Sequence, residues 1–153
     1  NSTNNCTIDE YDICHYDVEI SICELEYISF DEVVFTICAN SPNYDISGFQ
    51  FSLNAPTFNI IEVSLGSDAI LSDMNNYDTS GLSVLAFTLS SNFINSGSNL
   101  ELALFRGTYA LAEGFIQIIP TYGDNGSLSI AGSNAEELSI LVNINDWSEI
   151  PIN

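Results

Sequence analysis

Residues 46–54 read ISGFQFSLN, placing Phe49, Phe51 and Leu53 on one side of the chain and Gln50, Ser52 and Asn54 on the other. An apolar residue at every second position marks a strand with one buried face. Working outward, FNIIEVSLG (58–66), LSVLAFTLSS (82–91) and SNLELALFRG (98–107) repeat the theme, with Gly, Asn, Ser and Asp between them. Upstream, Tyr16, Val18, Ile20 and Ile22 alternate with Asp17, Glu19 and Ser21. At Cys23 the phase slips to Leu25 and Tyr27, which predicts a bulge or a change of strand. Val33, Phe35 and Ile37 form the next apolar face, and further strands are expected near 114–119, 127–131 and 138–144. The class is therefore all-β, a single sandwich or jelly roll of about nine to ten strands. Its expected core holds Phe35, Ile37, Phe49, Phe51, Leu53, Leu85, Phe87, Leu102 and Leu104. Helix is expected only as a single turn after Asn134, where Glu137 has capping-box spacing.

The succession of the SGFQF, IEVSLG and LELALF strands resembles the cohesin-like family of extracellular β-sandwich modules, over roughly residues 33–144. The resemblance implies a binding or assembly module and brings no active site. In cohesins the partner surface is one face of the sandwich, without a diagnostic motif that would transfer contact residues to this chain. Residues before Val33 fall outside the pattern. Residues 1–24 are accordingly read as an N-terminal extension with a possible donor strand, and residues 25–153 as the sandwich domain.

The chain has 153 residues, 46% of them hydrophobic, so one domain with a substantial core is expected. Against 21 acids stands one base, Arg106, giving a net charge of −20. Such a surface repels phosphate backbones and anionic lipid, so nucleic acid is excluded as a partner. Cations, a basic partner, an acidic medium and high salt stay compatible with it. With no lysine, no Schiff base, phosphate-gripping lysine or lysine–asparagine crosslink can form within the chain. Membrane insertion is not expected, since no apolar run approaches the ~20 residues needed to span a bilayer.

Cys6, Cys14, Cys23 and Cys38 are confined to the first quarter of the chain. Four cysteines permit three pairings, and spacing alone does not choose among them. A zinc site with His15 is the competing reading, but no CxxC pair is present. Two disulfides suit an oxidising compartment. Sequons at Asn1, Asn5 and Asn125 are candidate glycosylation sites, and the absence of an initiating methionine fits a mature secreted product or an excised domain.

The one long polar connection, residues 67–81, carries Asp68, Asp73, Asn75 and Asp78, oxygen donors of the kind calcium takes. Turn-forming Asx residues in a solvated loop explain the same composition. Calcium is thus a possible ligand, and no cofactor is required. Catalysis is not expected: a nucleophilic triad would need His15, the only histidine, and no acid pair stands out among so many. Arg106 reads as a counter-charge to neighbouring acids, and His15 as a surface residue beside a disulfide.

Two function classes follow. One is an extracellular structural subunit, of a filament or surface layer, that self-associates by pairing the strand of Tyr16, Val18, Ile20 and Ile22 with a neighbour's sheet edge. The alternative is a recognition module for a dockerin-like protein or a polysaccharide. The surplus strand before Val33 favours the first.

Overall fold

The structure, a computed structural model, describes residues 6–55, 58–71, 75–78, 83–109, 113–114, 116–119, 128–143 and 150–151, with backbone alone at 71, 75–78, 109, 113–114, 143 and 150–151. The chain opens with a short hairpin, β1 (Thr7–Ile8) and β2 (Cys14–His15), followed by the long strands β3 (Val18–Tyr27), β4 (Glu32–Ser41), β5 (Ile46–Asn54) and β6 (Phe58–Leu65). The helix α1 (Ser67–Leu71) leads to β7 (Asn75–Asp78), β8 (Ser83–Phe87) and β9 (Gly97–Tyr109). Five short strands follow: β10 (Glu113–Gly114), β11 (Gln117–Ile118), β12 (Ser129–Gly132), β13 (Ile140–Asn143) and β14 (Ile150–Pro151).

Two sheets form the sandwich. Sheet I runs β13-β3-β4-β9-β6, and sheet II runs β11-β5-β8-β7, with β12 pairing β5 further along the edge that β11 occupies. The pair β13–β3 is parallel, and the other pairs of the two sheets are antiparallel. Inward residues of both sheets interdigitate as alternation requires. Phe51 of sheet II meets Phe105 of sheet I with ring centroids 6.1 Å apart, and Phe105 stacks on Phe35 at 5.2 Å. Phe58 extends the row, 5.3 Å from Phe35. Each such ring contributes about 1.5–3 kcal/mol through burial, and the aromatic contacts add to it.

Phe35, Ile37, Phe49, Phe51, Leu53 and Leu102 are buried as expected. Leu85, Phe87 and Leu104 are not: each is only half-buried, and Val84, Ala86 and Phe105 point inward instead. In β8 both faces of SVLAF are apolar, so local pattern leaves the phase open; pairing of Val84 with Phe51 and Ala86 with Phe49 sets it. In β9 a bulge does so, since Ile37 pairs with Ala103 and Cys38 with Glu101, leaving Leu102 as the extra residue. The bulge read at Cys23 is present, with Ile22 opposite Ile37 and Glu24 opposite Thr36.

The boundary placed after residue 24 falls inside β3, which lies between β13 and β4. The sandwich thus includes the whole of β3 from Val18, and Val18, Ile20 and Ile22 are buried in its own core. Tyr16 precedes the strand and is 37% exposed. No helical turn follows Asn134: its N–H donates to the Glu136 carboxylate at 2.9 Å, and Ala135 takes a left-handed φ of 61°, making a tight turn. Helix appears instead at α1, where a polar loop was expected.

Candidate functional site

The two outer faces of the sandwich differ in kind. Sheet I carries its charge outward, with Glu19, Glu24 and Glu26 on β3, Glu32 on β4, Glu62 on β6 and Glu101 on β9. Arg106 stands among them, its Nε donating to Glu32 Oε2 at 2.8 Å and its Nη1 lying 3.9 Å from Glu62 Oε1. The chain's only cation is thereby committed to neutralising this face, as the sequence suggested. The Cys23–Cys38 disulfide crosses the same face between β3 and β4, with Cα atoms 5.7 Å apart.

Sheet II is uncharged across its centre. The strands β5, β8, β11 and β12 contain no charged residue. Register builds the outer face in rows, because paired residues on adjacent strands share a side. One row is Ala131, Gly48 and Phe87; the next is Ser129, Gln50 and Leu85; a third pairs Ser52 with Ser83, whose hydroxyls lie 2.8 Å apart. Leu85 and Phe87, misplaced by the sequence reading, are the apolar centre of this face. A shallow depression of 160 Å³ opens among these rows over Gly48. A Cβ on Gly48 would come within 2.8 Å of Phe87 Cβ, so glycine at this position leaves room for Phe87 and for the depression. Among the described residues, Glu137 borders this face by a backbone bridge to Ala131, and the backbone of Asp78 on β7 lies in register with Leu85.

The other residues singled out in the sequence are dispersed. Cys6–Cys14 and Cys23–Cys38 are the two disulfides, both within the first forty residues as expected, so the zinc reading falls. His15 is exposed beside the first of them, its Nε2 2.7 Å from Asp9 Oδ2. That hydrogen bond, together with the backbone N–H groups of Ile13 and Tyr11, holds the Asp9 carboxyl below its ordinary range. The calcium loop is replaced by helix and strand: Asp68 lies on α1, where its Oδ2 accepts the Glu101 N–H at 2.7 Å, while Asn75 and Asp78 belong to β7 in the other sheet. Asp73 lies outside the described residues, among which no group of three or more metal-ligating side chains is found. The sequon asparagines Asn1, Asn5 and Asn125 also lie outside them. The strand of Val18, Ile20 and Ile22, offered as a donor to a neighbour, is paired on both sides within its own chain, by β4 and over residues 18–21 by β13. Self-association through that strand has no support.

No family model matches the sequence, and no curated protein does. Solved structures do match. The cohesin of a type I cohesin–dockerin complex from Clostridium thermocellum superposes with a TM-score of 0.65 at 12% identity, covering 89% of this chain and 99% of that one. The seventh ScaB type I cohesin from Pseudobacteroides cellulosolvens gives 0.62 at 17% identity, covering 90% and 93%. A non-cellulosomal cohesin from the archaeon Archaeoglobus fulgidus gives 0.56 at 12%, covering 82% and 86%. The chain is a cohesin-like β-sandwich.

Proposed function

We propose that this protein is a non-catalytic, extracellular recognition module that docks a dockerin-like protein on the outer face of sheet II, centred on Gln50, Leu85 and Phe87. The observation that carries this reading is the uncharged centre of that face in a chain of net charge −20. With 21 acids to place, the four strands β5, β8, β11 and β12 take none, and each is neutral where a partner would desolvate it. Burying an unpaired carboxylate costs several kcal/mol, so a surface meant to be covered keeps carboxylates at its edge. The rim acids favour a partner with basic residues around an apolar contact, and they speed its approach. The fold agrees, since similar modules occur in complexes with dockerins. The disulfides suit secretion.

Calorimetric titration with a panel of dockerin modules tests the proposal. At least one is expected to bind, and Phe87→Glu is expected to weaken it by about a hundredfold, the scale of a central anchor lost and a charge buried. Binding that survives Phe87→Glu unchanged, or a panel without a single binder, would refute it.

A further inference from the structure

The depression over Gly48 interrupts the outer face of sheet II. Gly48 has no side chain to fill it, and it lies between Leu85 and Phe87 on β8 and Ser129 and Ala131 on β12. We propose that this depression is a pocket for one uncharged aromatic ring, the side chain of a phenylalanine or tyrosine on the docked partner. The inference rests on the reading of sheet II as the docking face for where the ring comes from, whereas the pocket itself is a property of this chain alone.

Size, shape and charge select the ring. A cavity of about 150 Å³ holds benzene, and the depression measures 160 Å³. A branched aliphatic side chain is smaller, and the space it leaves empty forfeits contacts with the walls. Phe49 and Ala86, whose side chains are buried in the core, reach the depression through their main chain. Strand backbone without a Cβ at Gly48 gives a flat floor, on which a planar ring makes more contact than a branched chain. No lining residue is charged. An anionic side chain is repelled by the net charge of −20. The same field attracts a cation, but the lining holds no carboxylate, so a covered ammonium or guanidinium would lose water without gaining a partner. Gln50 and Ser129 are neutral and polar, so a phenol is accepted as well as a benzyl group.

The pocket is formed before any partner arrives. Gly48 is opposite Phe87 on one side and Ala131 on the other, so both walls are strands paired to the floor. Past the register shift between Ala131 and Gly132, the Ser47 hydroxyl donates to the Gly132 carbonyl at 2.7 Å and ties the end of β12 to β5. The Thr88 N–H donates to the Ser47 carbonyl at 3.0 Å and extends the β5–β8 pairing beyond Phe87. Gly48 sets the depth, since a Cβ there would stand 2.8 Å from Phe87 Cβ and 3.2 Å from the Ala86 carbonyl oxygen. Walls built on paired strands lose little entropy when a ring enters.

The test is a two-dimensional amide NMR titration of the full chain, without a partner, against p-cresol and benzyl alcohol as stand-ins for the tyrosine and phenylalanine side chains. Isobutanol, butylammonium and propionate stand for leucine, lysine and glutamate. Each is added to about 30 mM, against a dissociation constant on the order of 10 mM expected for so small a probe. The two ring compounds should shift the amides of residues 48–50, 85–87 and 129–131 along saturating curves, and the other three should not. Ala131→Leu, which fills the depression from β12, should weaken p-cresol about fivefold or more. Ser129→Leu is a second filling variant with the same expected loss, and unmoved β4 and β9 amides show each variant to be folded. Leu141→Ser, which removes an exposed leucine from sheet I, should leave p-cresol binding unchanged. Shifts from neither ring compound, ring binding that both filling variants leave intact, or equal shifts from isobutanol, butylammonium or propionate would each overturn the proposal. A dockerin panel without a binder would instead refute the docking reading, and the titration decides the pocket independently of it.

Discussion

The outer face of sheet I and the outer face of sheet II rest on one core and have opposite surfaces. Phe105 beneath the first and Phe51 beneath the second touch across that core, so the scaffold is shared. Above it, β3 alone carries three glutamates, whereas β5, of similar length, carries no charge at all. A face lined with carboxylates resists coverage, because each would be desolvated without a partner. It also discourages the pairing of one copy with another through the long strands of sheet I. Charge in this chain is therefore concentrated on the outer face of sheet I and is absent from the central strands of sheet II.

The most severe way to break the comparison is to remove what both faces stand on. Phe105→Ala should cost about 3–5 kcal/mol of stability, from lost burial and the cavity left between Phe35 and Phe51. Denaturant unfolding followed on both sheets should show them melting together, and a sheet II that outlives sheet I would show the faces to be independent units. Next, Leu85→Glu should weaken a bound dockerin about a hundredfold, roughly 2.7 kcal/mol, while Glu24→Gln with Glu26→Gln on sheet I should change the affinity less than about threefold. Equal losses from both would erase the distinction between the faces.

How much of this contrast is legible in the sequence depends on whether it is local. The alternation of Phe49, Phe51 and Leu53 needs only neighbours along the chain, and the phase slip at Cys23 announces its own bulge. Leu85 and Leu104 were misread for the same reason that the face was not seen. In β8 both sides are apolar, and only pairing with Phe49 and Phe51 decides which side turns inward. In β9 the extra residue Leu102 is defined by its opposition to Ile37 and Cys38. Likewise Gln50, Leu85 and Ser129 form one row through pairings between distant segments. The uncharged strands could have been noticed one by one, but not that they lie side by side. The strand of Val18, Ile20 and Ile22 was recognised as a strand, yet its parallel partner β13 arrives from the other end of the chain, so its place inside the sheet was invisible. Asp68 and Asn75, neighbours in one polar stretch, end on different sides of the sandwich.

Smaller effects sharpen the account of sheet I. Arg106→Gln leaves Glu32 and Glu62 without their cation, but the side chain is 45% exposed, so the cost should be about 0.5 kcal/mol. The loss should grow at low salt, where repulsion among the surrounding glutamates is least screened. Thermal melts at low and high ionic strength measure this, and a loss independent of salt would assign Arg106 a packing role. The smallest effect belongs to the β1–β2 hairpin. The Asp9 carboxyl is held below the ordinary carboxylate range by His15 and by the Ile13 and Tyr11 N–H groups. A depressed carboxyl contributes order that is complete above its unfolded value and is lost as pH falls through the folded one. The Tyr11 and Ile13 amide signals should therefore move as pH drops below about 4, while the sheet amides near Phe105 hold their positions. Movement of both together would tie the hairpin to the global fold.

Hydrogen–deuterium exchange on the complex with a bound dockerin module tests the central claim most directly. Protection is expected over residues 48–52, 83–87 and 129–131, with the glutamate-bearing segments of β3, β4 and β6 unchanged. Protection confined to those sheet I strands, with sheet II exchanging as in the free protein, would contradict it.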